Sequence, residues 1–185
     1  MHKPDPNRWV DQYADPLYRF ALVRVSDGEL ARDLVQETFI SAWKGLGAFE
    51  GQASEKTWLF SILRNKIIDH YRVEARSIVG RLEDNREDEQ VFFDETEHWR
   101  PDTGPRDWGG AHGPSVEKKE FYGILDRCKE KLVQIQAAVF TMKYIDDLDS
   151  EDICKELNIS SSNYWVLLHR AKLHLRQCLE RNWFV

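Results

Sequence analysis

Long hydrophobic runs are missing from this 185-residue chain: no apolar stretch approaches the length needed to span a bilayer, and none follows Met1-His2-Lys3-Pro4-Asp5-Pro6. The protein is therefore expected to stay in the cytoplasm, with no membrane insertion. Cysteine is scarce. Cys128, Cys154 and Cys178 are odd in number and widely spaced, which argues against a disulfide framework and against a Cys-x-x-Cys metal site, so they read as reduced, mostly buried thiols. A basic excess is also lacking, since 26 Lys and Arg face 32 Asp and Glu for a formal charge of −6. Taken over the whole chain, that balance opposes nucleic-acid binding. What is present is the composition of a soluble, folded protein, 42% apolar and 31% charged, long enough for one large domain or two small ones.

The charge is not spread evenly. Residues 82–114 hold ten acids against Arg86, Arg100 and Arg106, a net −7 that leaves the rest of the chain at +1. Residues 58–81 carry +3, with Arg64, Lys66, Arg72, Arg76 and Arg81 against Asp69 and Glu74. Basic surface is thus segregated from an acidic connector. Helical periodicity fades between about Ser77 and Pro114, and Pro101, Gly104, Pro105, Gly109, Gly110, Gly113 and Pro114 crowd the second half of that stretch. The expected fold is all-α: a helical domain over 8–76, an acidic flexible linker over 77–114 and a second helical domain over 115–185. Phe92, Phe93, Trp99 and Trp108 are unfavourable in water, so part of the connector is expected to pack on a domain or a partner.

In the last third, Asp149 to Ser160 runs into Ser161 to Lys172 with the outline of a helix-turn-helix. Asp149 or Ser150 can cap a short helix carrying Ile153 and Leu157 on one face, and Asn158 tolerates the left-handed backbone of a turn. Ser160 or Ser161 can cap a second helix, where Tyr164, Leu168, Ala171 and Leu175 recur at i, i+4, i+7 and i+11 as one buried seam. The opposite face carries Ser162, Trp165, Val166 and His169, with Arg170 at its flank, a shape suited to a DNA major groove.

The N-terminal half reads as helices over Tyr13 to Val25, Glu29 to about Lys44 and Trp58 to about Arg76. In the second, Leu30, Ala31, Leu34, Val35, Phe39, Ala42 and Trp43 form a broad apolar arc. The remaining arc holds Asp33, Gln36, Glu37, Ile40 and Lys44, where Ile40 points to a docking surface. In the third, Ser61, Asn65, Asp69, Arg72 and Arg76 form a polar stripe, with Trp58 and Ile62 adjoining.

The segments Asp33-Leu34-Val35-Gln36-Glu37-Thr38-Phe39-Ile40-Ser41-Ala42-Trp43 and Thr57-Trp58-Leu59-Phe60-Ser61-Ile62-Leu63-Arg64-Asn65, with Asp69 and Arg72 following, resemble region 2 of an extracytoplasmic-function sigma factor of bacterial RNA polymerase. The helix-turn-helix with Leu168-His169-Arg170-Ala171-Lys172 resembles region 4 of the same family. The resemblance covers roughly residues 13–76 and 117–180, in the family's order.

The resemblance implies partners for these faces. Asp33, Gln36, Glu37 and Ile40 match the helix that docks on the beta-prime clamp of core RNA polymerase, and region 4 is implied to meet the beta flap. The 49–57 loop matches the segment that captures a base flipped from the minus-ten element, a step that must repay a few kcal/mol of unstacking. Asn65 and Asp69 match positions that read the minus-ten element, Trp58 lies beside that fork, Arg64, Lys66, Arg72 and Arg76 are left for the backbone, which positions without specifying, and Lys56 and Ser61 complete the DNA-binding set. Ser161, Ser162, Trp165, Val166, His169, Arg170 and Lys172 are the implied minus-thirty-five set. The family usually places a basic, a small polar and another basic residue where this chain has Trp165, Val166 and Leu167. An anti-sigma factor is implied as the regulator.

Simpler readings stand beside these. Asp69 either reads a base or pairs with Arg72 or Arg76 along its helix. Trp58 is either at the fork or in the core, and Trp165 either touches thymine methyls or buries against a protein partner. Enzymatic signatures are poor. Gly51-Gln52-Ala53-Ser54-Glu55-Lys56-Thr57 lacks the glycine before the lysine of a phosphate-binding loop, and Asp147 to Glu151 lacks the glycine of a calcium loop. His169 and His174 point to different helix faces. No catalytic residue, metal or cofactor is expected. The expected function is promoter recognition, local DNA melting and transcription initiation as a polymerase subunit. A free-standing DNA-binding regulator or a protein-interaction adaptor are the alternatives.

Overall fold

A computed structural model describes residues 4–49, 51–82, 91–101, 103–105, 108 and 115–183. Chain contacts divide it into two units, Met1–Arg72 and Val73–Val185. Among the described residues there are seven α-helices, no strand, and no helix long and apolar enough to cross a membrane.

The first unit is built on α1 (Trp9–Val25), α2 (Gly28–Gly45) and α3 (Glu55–Leu82) up to Arg72. The turn between α1 and α2 is closed by local chemistry. Ser26 adopts a left-handed φ of 54° and returns its amide to the Leu22 carbonyl at 2.9 Å. Asp27 then caps α2, its Oδ1 accepting the Glu29 and Leu30 amides at 2.8 and 3.1 Å. Leu17, Ala21 and Val25 of α1 bury against this core, as do Ala31, Leu34, Val35 and Ala42 of α2. From α3 come Leu59, Leu63, Ile67 and Tyr71, one residue per turn, each large apolar side chain contributing about 1.5–3 kcal/mol. Two polar ties fix α3: the Tyr71 hydroxyl donates to the Arg24 carbonyl, and the Trp9 indole N–H donates to the buried Glu55 carboxylate at 2.7 Å. Glu55 also stands in the first turn of α3, where the helix dipole favours a negative charge. Each helix is longer than its sequence periodicity indicates. α1 starts four residues before Tyr13, with the buried Trp9, and α3 begins at Glu55 and runs to Leu82, with Ala75 still buried beyond Tyr71.

The second unit contains α4 (Ser115–Lys129), α5 (Gln134–Tyr144), α6 (Ser150–Leu157) and α7 (Ser161–Asn182). α7 is its axis, packed by α4, α5 and α6. The predicted seam of Tyr164, Leu168, Ala171 and Leu175 is buried throughout, and Leu167, Leu173 and Leu179 widen it. Asn158 makes the turn at φ 54°, and Ser160 caps α7 by accepting the Asn163 amide at 3.2 Å.

The expectation of three reduced thiols is corrected here. Cys128 of α4 and Cys178 of α7 form a disulfide, 50 residues apart in sequence but with Cα atoms 5.8 Å apart, leaving Cys154 as the free thiol among the described residues. Sequence spacing misleads because the α4–α7 packing brings the two positions together.

Seven of the ten connector acids, Glu83, Asp84, Glu87, Asp88, Glu89, Asp102 and Asp107, lie outside the described residues. The described part docks on α7, as its aromatic residues require. Phe92 is fully buried and meets the His174 ring edge-on at 5.2 Å. Trp99 lies between Phe93 and the Arg176 guanidinium, 4.4 Å from the ring centre, and the Trp108 indole donates to Glu180 at 3.1 Å. Asp94 closes the turn between Phe93 and Trp99. Hydrogen bonds from the Thr96 hydroxyl and from the His98 and Thr96 amides hold its carboxyl below the usual range.

Candidate nucleic-acid interface

On α2 the polar arc is exposed: Asp33, Gln36, Glu37 and Ile40 all face outward, Ile40 at 54% exposure. The half-buried Lys66 of α3 donates to the exposed Glu37 carboxylate at 3.1 Å. Trp43, assigned by periodicity to the apolar arc, is 61% exposed and joins Ile40. An exposed Trp and Ile three residues apart on one helix form an apolar patch that a monomer gains nothing by displaying. The signal for it was Ile40 alone.

α3 starts at a serine cap, Ser54 Oγ accepting the Thr57 amide at 3.1 Å, and follows an exposed loop in which Gly51 takes φ 71°. Glu50 of this loop lies outside the described residues. Trp58 is half-buried, tilted against Phe49 at 4.7 Å and edge-on to Trp9 at 5.9 Å. It therefore supports the loop base and keeps one edge outward, between the two readings left open for it. Lys56, Ser61, Arg64, Asn65, Asp69 and Arg76 are exposed along α3, and Arg72 is half-buried. The Ser61 hydroxyl donates back to the Trp58 carbonyl at 2.7 Å, which ties up its proton but leaves its lone pairs. Asp69 pairs with Arg72 at 2.9 Å, the helix-internal arrangement. At this exposure such a pair contributes about 0–1 kcal/mol and exchanges readily for another partner. Asn65 makes no side-chain hydrogen bond among the described residues, so its amide is available to pair bidentately with a base edge.

On α7, Ser161, Ser162, Trp165, His169 and Lys172 are exposed and Val166 is half-buried. Trp165 is 58% exposed and leans edge-on against buried Tyr164 at 5.0 Å. Lys172 sits 5.4 Å over the Tyr144 ring. Arg170 requires a correction. It is 4% exposed, enclosed by its own unit, and offers no guanidinium to a groove. Leu167, at 0% exposure, is core as well, so the departure from the usual residues at 165–167 leaves Trp165 and Val166 as the surface positions. Behind this face, burial first and then Glu151 push the Cys154 thiol up, and burial with Tyr144 and Cys154 pushes the Tyr164 phenol up, so both stay neutral.

The arrangement thus places the exposed, uncharged Asn65 amide among cations on α3, and a serine-rich, aromatic, weakly cationic face on α7. Comparison with known proteins agrees with that division. Residues 9–77 match the family model of Sigma-70 region 2, and residues 122–175 match that of Sigma-70 region 4. A probable RNA polymerase sigma factor from Haemophilus influenzae is 41% identical over 175 residues, covering 93% of this chain and 88% of the relative. The ECF RNA polymerase sigma factor SigX of Bacillus subtilis is 30% identical over 176 residues, covering 92% and 81%. The sigma factor RpoE of Bartonella quintana, solved with the anti-sigma factor NepR, aligns at a TM-score of 0.45 and 21% identity over 95% of this chain and 97% of that one. Two region matches in order, with full-length relatives at this identity, place the chain in the extracytoplasmic-function branch of the bacterial RNA polymerase sigma factors.

Proposed function

We propose that this sigma factor binds core RNA polymerase and directs it to promoters, reading the minus-ten element with α3 and the 49–57 loop and the minus-thirty-five element with α7. The observation that carries the reading is the coincidence of the two family regions with two separate units, each displaying an exposed helix face. The α2 face of Asp33, Gln36, Glu37, Ile40 and Trp43 is assigned to the polymerase clamp, and region 4 to the flap. Lys56, Ser61, Arg64, Asn65, Asp69, Arg72 and Arg76 are assigned to minus-ten DNA, and Ser161, Ser162, Trp165, Val166, His169 and Lys172 to minus-thirty-five DNA. Residues 77–114 connect the two. It acts where the polymerase acts, in the cytoplasm, as an initiation factor with no chemistry of its own. An anti-sigma factor controls it.

Gel filtration with core polymerase, followed by salt-dependent binding to promoter and scrambled duplexes, tests this. Co-elution with polymerase and promoter preference only in the complex support the reading. Tight duplex binding without polymerase points to a free-standing regulator, and neither activity points to an adaptor.

A further inference from the structure

The Cys128–Cys178 bond borders an open cavity of about 180 Å³ whose walls include Lys131, His174, Arg181 and Asn182 as well as both cysteines. Its lining contains no acid among the described residues. Cys128 is 2% exposed and belongs to the α4–α7 core, whereas Cys178 is half-buried and reaches the cavity from α7. The Asn182 amide donates to the Cys178 carbonyl at 2.6 Å and to its sulfur at 3.6 Å. A disulfide serving only as a staple needs neither an open cavity lined by cations nor an amide donor on its half-buried sulfur.

We propose that this cavity is a thiol–disulfide exchange site for a small anionic thiol, with the Cys178 sulfur as the point of attack. The incoming thiolate forms a bond to Cys178 Sγ as the S–S bond breaks, and the electron pair leaves on Cys128 Sγ, which takes a proton from solvent. A second thiolate attacks the outer sulfur of the mixed disulfide, forms the external disulfide and releases Cys178 as a thiolate. Asn182 and the surrounding cations stabilise that thiolate until it is protonated. The protein gains two electrons and two protons, and two external thiols become one disulfide. The product is a second unit in which α4 packs on α7 through Phe121, Ile124 and Leu125 without the covalent tie. This inference stands apart from the promoter reading, since none of these residues is among those assigned by number to promoter DNA or to the polymerase clamp.

The test uses the oxidised full-length chain and two matched reductants, 2-mercaptoethanesulfonate and neutral 2-mercaptoethanol. Mass spectrometry after alkylation follows the two new thiols above the one from Cys154. At equal thiolate concentration and low salt, the sulfonate is expected to react about tenfold faster, with an advantage that shrinks as salt is added. The double substitution Lys131→Glu, Arg181→Glu should abolish that advantage without changing the melting temperature of the oxidised protein. Should the doubly substituted protein not fold, the salt dependence of the unaltered chain decides alone. Equal rates for the two reagents at low salt, or rates that both rise with urea in step with global unfolding, would overturn the proposal.

Discussion

Arg170 and Lys172 stand two residues apart on α7 in opposite environments, and opposite phenotypes follow. Arg170 is interior, so Arg170→Ala opens a cavity and should lower unfolding stability by about 2–4 kcal/mol in urea titrations. Lys172→Ala should leave stability within about 0.5 kcal/mol and reduce the salt slope of promoter binding by about one. Neither outcome was separable in sequence. At about 100° per residue, Arg170 lies about 120° to one side of the Tyr164 seam and Trp165 about 100° to the other. Which flank the neighbouring helices cover is a tertiary fact. On α3 the stripe of Ser61, Asn65, Asp69 and Arg76 was legible, because a helix packed on one side exposes the other. Asn65→Ala should relax base preference at one minus-ten position by about 1–3 kcal/mol, while Arg64→Ala should weaken all promoters alike; a randomised minus-ten library reads the difference.

Among the elements, α2 divides most clearly into a packing face and a working face. Ala31, Leu34, Val35, Thr38 and Ala42 bury within about a quarter-turn of a common centre, and Trp43 falls about 120° from it, which is why an arc drawn from hydrophobicity alone absorbed it. Ile40→Arg and Trp43→Ala should both weaken association with core polymerase, measured by fluorescence anisotropy, while circular dichroism and the melting temperature stay unchanged. Unfolding by either substitution would return that residue to the core. For α4 and α7 the disulfide closes a 50-residue separation, worth about 4 kcal/mol in the chain-entropy account. Cys128→Ser should therefore destabilise the second unit by up to about that amount without reductant, and the difference should narrow to under about 1 kcal/mol in excess dithiothreitol, where both proteins are reduced. No spacing rule announced this bond, since three scattered cysteines carry no pairing information until the helices are placed.

At the scale of the whole molecule, an all-helical chain was readable from the two helical patterns, whereas the boundary between its two units at Arg72 falls inside α3 and not in the stretch of charge and breakers from Ser77 to Pro114. The connector's attachment was half readable: its aromatic content demanded burial, but nothing in sequence indicated that α7 would take Phe92, Trp99 and Trp108 through His174, Arg176 and Glu180. Each unit presents an exposed helix face with a limited set of cations, and the proposed function has both faces act together on the polymerase. The most direct test is transcription in vitro with core RNA polymerase, the purified chain and a library of randomised promoters. The account predicts transcripts dependent on the chain, from templates sharing a minus-ten and a minus-thirty-five sequence at fixed spacing, with the minus-ten preference altered by Asn65→Ala. Transcription no greater than that of core polymerase alone, across the whole library, would contradict it.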